Sequence, residues 1–197
     1  MTAHLTKADA EKRFLSIVHN DKVDNTSVPD KVFLRQKATE HLLSLRVLDL
    51  YAGKNICWRN IDKERYYGVE LIEDKGVNLN ADAKRVIESI DLSEFNVIDV
   101  DSFELPFEVC EKLITSEKVK SGTIILYTAM TNIFTMLPKV CVDSLKIKEM
   151  YRIAPSLFNL NAIDYFYDML GNLGVKEATY YELIDKFKKH YGYFTVP

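Results

Sequence analysis

Glycine and proline are scarce, at 7 and 5 of 197 residues, which excludes a collagen-like or low-complexity chain. Cysteine is scarcer still: Cys57, Cys110 and Cys141 are widely spaced and odd in number. A disulfide framework is therefore not expected, and a reducing, cytoplasmic setting is. There is no CxxC pair and no close Cys/His group, so no metal site is expected. No run approaches the roughly 20 apolar residues that span a bilayer, so no membrane segment is expected. Met1–Arg13 alternates polar and charged residues and lacks the apolar core of a secretory leader. Positive charge is not in excess: 26 Lys and Arg face 29 Asp and Glu, a net −3. Any contact with nucleic acid would have to be local. What is present is 47% hydrophobic and 28% charged, the composition of one globular domain with a full core.

The pattern of residues divides this expected single domain, 1–197, into an N-terminal helical cap, 1–45, and a core, 46–197. In the cap, one helix follows Thr6 as N-cap, with Ala10, Phe14, Ile17 and Val18 on one face. A polar stretch, Asn20–Pro29, leads to a second helix from about Asp30, striped by Leu34, Ala38, Leu42 and Leu45. From residue 46 short apolar runs alternate with helical patterns. Arg46–Leu50, Tyr66–Glu70, Val77–Asn80, Phe95–Val100 and Thr123–Tyr127 read as strands. Ile56–Ile61, the stripe Ala83, Val86, Ile87, Ile90 and the stripe Cys110, Leu113, Ile114 read as helices. Residues 130–157 give no clear period. Ala162, Phe166, Met169, Leu170 and Leu173 mark a helix stopped by Gly174. Ala178–Ile184 and Tyr191–Val196 read as two closing strands with a short link, hence antiparallel. The expectation is a seven-stranded, mostly parallel α/β sheet with an antiparallel C-terminal hairpin and two N-terminal helices.

An open sheet of this kind binds ligands beyond the carboxyl ends of its strands, so the residues after each strand matter most. The first strand runs into Asp49-Leu50-Tyr51-Ala52-Gly53, an acid leading a turn with one glycine, where backbone can approach a ligand closely. The second ends in Glu70, 21 residues after Asp49, where a carboxylate can accept both hydroxyls of a ribose. After the third comes Asn80-Ala81-Asp82-Ala83; Asp82 can accept from an adenine amine or cap the next helix. The fourth ends in Asp99-Val100-Asp101-Ser102-Phe103, whose two acids are read as lying one on each side of the sheet or at its rim.

These residues resemble the class I S-adenosylmethionine-dependent methyltransferases. "VLDLYAGKN" is similar to the glycine-rich first motif, "YYGVEL" to the ribose motif and "NADA" to the adenine loop. "FNVIDVDSFELP" with "SGTIILYTAMTN" resembles most the tRNA guanine dimethyltransferases. The resemblance spans about residues 45–135. It departs from the family where Tyr51 and Asn55 replace motif glycines, Ser102 a proline, Glu104 a glycine, and Thr131-Asn132 a Thr-Asp pair.

The resemblance implies a Rossmann-like fold and S-adenosyl-L-methionine as cofactor. It implies contacts from Asp49, Tyr51, Ala52, Gly53, Glu70, Leu71, Asp82, Ala83 and Asp99. It also implies methyl transfer to a base amine in RNA, rather than DNA, with a tRNA-like substrate. Asp101 would accept the amine's hydrogens, and Ser102 and Phe103 would shape the base pocket. Methylation at a pyrimidine carbon is disfavoured, because Cys110 falls in a helix and not at a strand end. Arg35 and Lys37 are further candidates for the cofactor's carboxylate. Lys186, Lys188, Lys189 and His190 read as a solvated turn or a phosphate contact. Two other readings stay open. One is a non-catalytic methyltransferase-fold protein serving as a binding module or subunit for a protein partner. The other is a nicotinamide-dependent oxidoreductase, which wants GxGxxG where this chain has one glycine.

Overall fold

The computed structural model describes residues 28–54, 57–71, 77–102, 105–130, 136–183 and 189–197. The helix expected after Thr6 lies outside them. The first described helix, α1 (Val28–Thr39), carries Pro29 in its first turn, where a missing N–H costs nothing. It buries Leu34 and Ala38. Five strands follow: β1 (Val47–Asp49), β2 (Tyr66–Glu70), β3 (Leu79–Asn80), β4 (Val97–Val100) and β5 (Ile124–Met130). Between them come α2 (Ala83–Ser89) and α3 (Phe107–Thr115). After β5 come α4 (Lys139–Ser144), α5 (Lys148–Ile153), α6 (Pro155–Asn159) and α7 (Ala162–Asn172). The closing strands are β6 (Ala178–Leu183) and β7 (Lys189–Thr195).

The seven strands form one sheet in the order β3-β2-β1-β4-β5-β7-β6. The first five pair parallel, and β7 pairs antiparallel with both β5 and β6. The chain works outward from β1 to β3 and then returns across the sheet to β4. The order therefore reverses between β1 and β4, and the carboxyl ends of five parallel strands share one edge there.

Each face of the sheet has its own core, as a two-residue side-chain period requires. Val47, Val97, Ile124 and Leu126 face α1, packed with Leu34, Ala38, Trp58 and Tyr191. Leu48, Ile98, Val100, Ile125 and Tyr127 face the other way, under α2, α3, α4 and α7. Phe166 of α7 anchors that side, its ring 4.9 Å from Phe107 and 5.0 Å from Tyr127. Gly174 ends α7 at φ +90°, a left-handed value that favours glycine, and Val175 N–H closes on Leu170 O at 3.0 Å.

Two expectations need correction. Residues 57–61 of the expected helix Ile56–Ile61 form turns and bends, because the Trp58 side chain is drawn into the sheet's face. Lys189 and His190 are no solvated turn: both lie in β7 and are buried. Lys186 and Lys188 lie outside the described residues. Among the described residues no helix is long and apolar enough to cross a membrane.

Candidate functional site

Strand register assembles the site. Asp49 and Asp99 are direct neighbours across β1 and β4. Asp99 stands opposite Leu126, and Val100 opposite Tyr127, which brings Asp101 beside Thr128. Thr128 in turn stands opposite Tyr191 of β7. Asp99 in β4 and Asp101 just beyond it are two residues apart and reach toward the same side of the sheet. Of the two placements expected, opposite sides of the sheet fails, for the strand period is two, and Asp101 stands just past the end of β4. Both carboxylates meet the same guanidinium.

That guanidinium is Arg35, on α1 and 4% exposed. Its Nε donates to Asp99 Oδ2 at 2.7 Å and its Nη2 to Asp101 Oδ2 at 3.5 Å. The Trp58 indole N–H donates to the same Asp99 oxygen at 2.6 Å, while its ring lies 5.9 Å from the guanidinium carbon. Asp99 is 1% exposed, and its Oδ1 has no hydrogen-bond partner among the described residues. Burial pushes Asp99 above the ordinary carboxylate range and Arg35 opposes this. One turn before Arg35, Lys31 Nζ donates to both oxygens of Asp101, at 2.7 and 2.6 Å. Thr128 Oγ1 adds a bond to Oδ1 at 2.6 Å. Burial would raise Asp101, but Lys31 and Arg35 outweigh it and hold this carboxyl below its usual value.

Asp49 is the odd acid. Tyr66 O–H donates to its Oδ2 at 3.0 Å, and Tyr51 N–H to Oδ1 at 3.3 Å. Burial, then the neighbouring Asp99, push its pKa well above normal. Among the described residues three carboxylates here face two cations, Lys31 and Arg35, so one acid lacks a counter-charge there.

Along the same edge, Gly53 takes φ +51° in the turn after β1. Its N–H donates to Glu70 Oε2 at 2.9 Å, and Leu71 N–H donates to Oε1 at 2.9 Å. The ends of β1 and β2 are thus tied by the carboxylate expected to read a ribose. Ala52 N–H reaches Val69 O, Tyr51 is half-buried against the core, and Leu71 is exposed. Asp82 is the N-cap of α2: its Oδ1 accepts from Lys84 N–H and Arg85 N–H at 3.0 and 3.2 Å, leaving Oδ2 outside both bonds. Ala83 opens that helix and is buried. Replacing Asp82 by alanine is expected to cost about 1 kcal/mol of stability through the lost cap, measured by urea unfolding.

The other sequence-picked residues fall as follows. Ser102 is buried at the end of β4, and Phe103 lies outside the described residues. Lys37 pairs with Glu40 at the surface. Cys110 is buried inside α3, and burial pushes its thiol up, away from nucleophilic use. Lys31, Trp58, Tyr66, Thr128 and Tyr191 were not picked as site residues. The available signal was the i, i+4 pair Lys31 and Arg35 on the same stripe of α1 as Leu34 and Ala38, opposite acid-bearing strand ends.

No family model and no curated protein matches the sequence. Among solved structures, the plantazolicin methyltransferase BpumL, in complex with a pentazolic desmethylPZN analog and SAH (S-adenosylhomocysteine), is similar at TM-score 0.53 and 13% identity, over 96% of this chain and 92% of that one. The related BamL, also with SAH, is similar at TM-score 0.51 and 10% identity, over 94% and 91% of the chains. A structure named as a "possible exported protein" from Bordetella parapertussis matches at TM-score 0.53 and 11% identity, over 86% and 67%. Strand order and these likenesses together give the chain a Rossmann-like α/β fold, shared with S-adenosylmethionine-dependent methyltransferases.

Proposed function

We propose that the protein is an S-adenosylmethionine-dependent methyltransferase acting on an amine. The observation that carries this is the placement of Asp49, Gly53, Glu70 and Asp82 along one edge, on the carboxyl ends of β1, β2 and β3 beside the switch point. The donor set fits the cofactor. Gly53 leaves backbone accessible in the turn, Glu70 suits ribose hydroxyls, and Asp82 Oδ2 suits an adenine amine. The uncompensated acid of the Asp49 cluster suits the ammonium of the cofactor's amino-acid part. When bound, the cofactor supplies a methyl on a sulfonium, and placement of the acceptor in line is then the main task.

Asp101 is the residue this reading assigns to hold an acceptor amine. Its carboxyl is kept ionised by Lys31 and Arg35, so it serves as a hydrogen acceptor and orienting group. The likeness of its strand to the tRNA guanine dimethyltransferases supports a base amine in RNA as acceptor. The net −3 of the chain places any RNA contact on a local surface.

Titration calorimetry with S-adenosylmethionine and SAH tests the cofactor half. Micromolar binding is expected for the wild type, and none for a folded Glu70→Ala, in which the turn at Gly53 also loses its tie to β2. Absence of binding at millimolar ligand would reject the reading. A second reading, a non-catalytic binding module, has one specific observation behind it. Asp99, Asp101 and Glu70 already hold partners within the chain. Failure to bind cofactor together with stable association with a protein partner would establish it.

A further inference from the structure

We propose that Asp101, Thr128 and Tyr191 form a binding site for a primary amine, and that Lys31 of the same chain fills that site and must leave before a ligand enters. This deepens the reading above by assigning the acceptor site, but the site itself needs no cofactor.

Adjacent strands build it. Asp101 directly follows β4, Thr128 lies beside it on β5, and Tyr191 is the register partner of Thr128 on β7. The three offer a carboxylate, a hydroxyl that orients it and an aromatic face. The Lys31 ammonium sits among them, 2.6–2.7 Å from the carboxylate oxygens and 5.5 Å from the Tyr191 ring centroid. A carboxylate below and a ring alongside are the two groups that recognise an alkylammonium.

Asp101 has no spare capacity while Lys31 is there. Oδ1 accepts from Lys31 and Thr128, and Oδ2 from Lys31 and Arg35, about the four bonds a carboxylate can take. An incoming amine must therefore displace a donor. Arg35 and Thr128 are buried, and Arg35 is also tied to Asp99. The Lys31 and Asp101 side chains keep 20% and 18% of their exposure, so this donor has a path to solvent. Lys31 rides on α1, which is held to the sheet by Leu34, Ala38 and the Arg35–Asp99 pair, and its long stem can swing out without moving the helix.

Vacating the site tests the assignment. In Lys31→Ala, n-butylammonium chloride is expected to raise the melting temperature saturably, by about 3–6 °C at ten times its dissociation constant. Sodium chloride at equal ionic strength should not do so. The wild type should show no such shift, because its own ammonium holds the place. Lys31→Ala/Asp101→Asn should show none either. Tetramethylammonium, which has no N–H to donate, should act far less than n-butylammonium on Lys31→Ala. If Lys31→Ala does not fold, Lys31→Met keeps the stem, and methylammonium replaces the missing group in the same assay. An equal shift in the wild type or the double variant, an equal effect of tetramethylammonium, or no shift in either single variant would overturn the proposal. These arms contain no cofactor, so a failed S-adenosylmethionine titration leaves their outcome independent.

Discussion

Replacing Arg35 by methionine is expected to cost about 3–5 kcal/mol of folding stability, seen as a lower urea midpoint at unchanged slope. The loss comes from what stays behind. Asp99 is 1% exposed, and its Oδ1 is already without a partner among the described residues. Without the guanidinium, among the described residues only the Trp58 N–H remains on that carboxylate at hydrogen-bond distance. A buried charge then stands beside Asp49 and Asp101 with one cation fewer. Arg35→Met/Asp99→Asn should recover most of the loss, since a neutral amide can still accept from Trp58 and brings no charge to bury. If the double variant were as unstable as the single one, the lost packing of the Arg35 stem, and not the orphaned charge, would be the cause. The acid side of the stability profile should change too. Asp101 has a lowered folded pKa, so it stabilises the fold above its unfolded value, and that contribution fades as pH falls through the folded one. Arg35→Met weakens this contribution because one of the two cations holding Asp101 ionised is gone.

The strands were legible because their causes are local. Tyr66–Glu70 carries the β-formers Tyr66, Tyr67 and Val69, and its bounds agree with β2. Ala162 to Leu173 shows a full apolar stripe, and α7 follows it to within a residue before Gly174. Residues 130–157 were opaque because α4, α5 and α6 span only five or six residues each, too few to display a period. Ile56–Ile61 misled for a different reason. Its helical spacing is overridden by a tertiary bond, the Trp58 indole reaching Asp99 across the fold. The acids of the site were visible at strand ends, but their partners were not. Lys31 and Arg35 lie 70 and 64 residues before Asp101 and Asp99, and no spacing rule links them. Asp99 shows the limit well: the sequence marks it as a strand-end acid but does not name the helix that answers it.

Asp49→Asn is expected to raise stability and lower cofactor affinity at once. Burial and Asp99 raise the folded pKa of Asp49 well above its unfolded value. A group shifted this way binds its proton more tightly when folded, so stability falls as pH climbs from the unfolded pKa, about 3.9, through the folded one. Asparagine removes that cost. Its carbonyl can still accept from Tyr51 N–H, and the Tyr66 hydroxyl can turn to accept from the amide. The melting temperature should therefore rise near neutral pH and stay level below about pH 4. Binding should move the other way. Among the described residues Asp49 is the acid without a counter-charge, and an ammonium arriving there meets its ionised form. Wild-type affinity for SAH should climb with pH through the raised Asp49 pKa, while Asp49→Asn should be flat. Loss of a charged hydrogen bond should weaken binding by about 1.5–3 kcal/mol, or about 10- to 150-fold. Calorimetry across pH reads both effects. A variant less stable than the wild type at neutral pH would show that Asp49 is ionised and paired in the free protein, so that no charge is left over for a ligand.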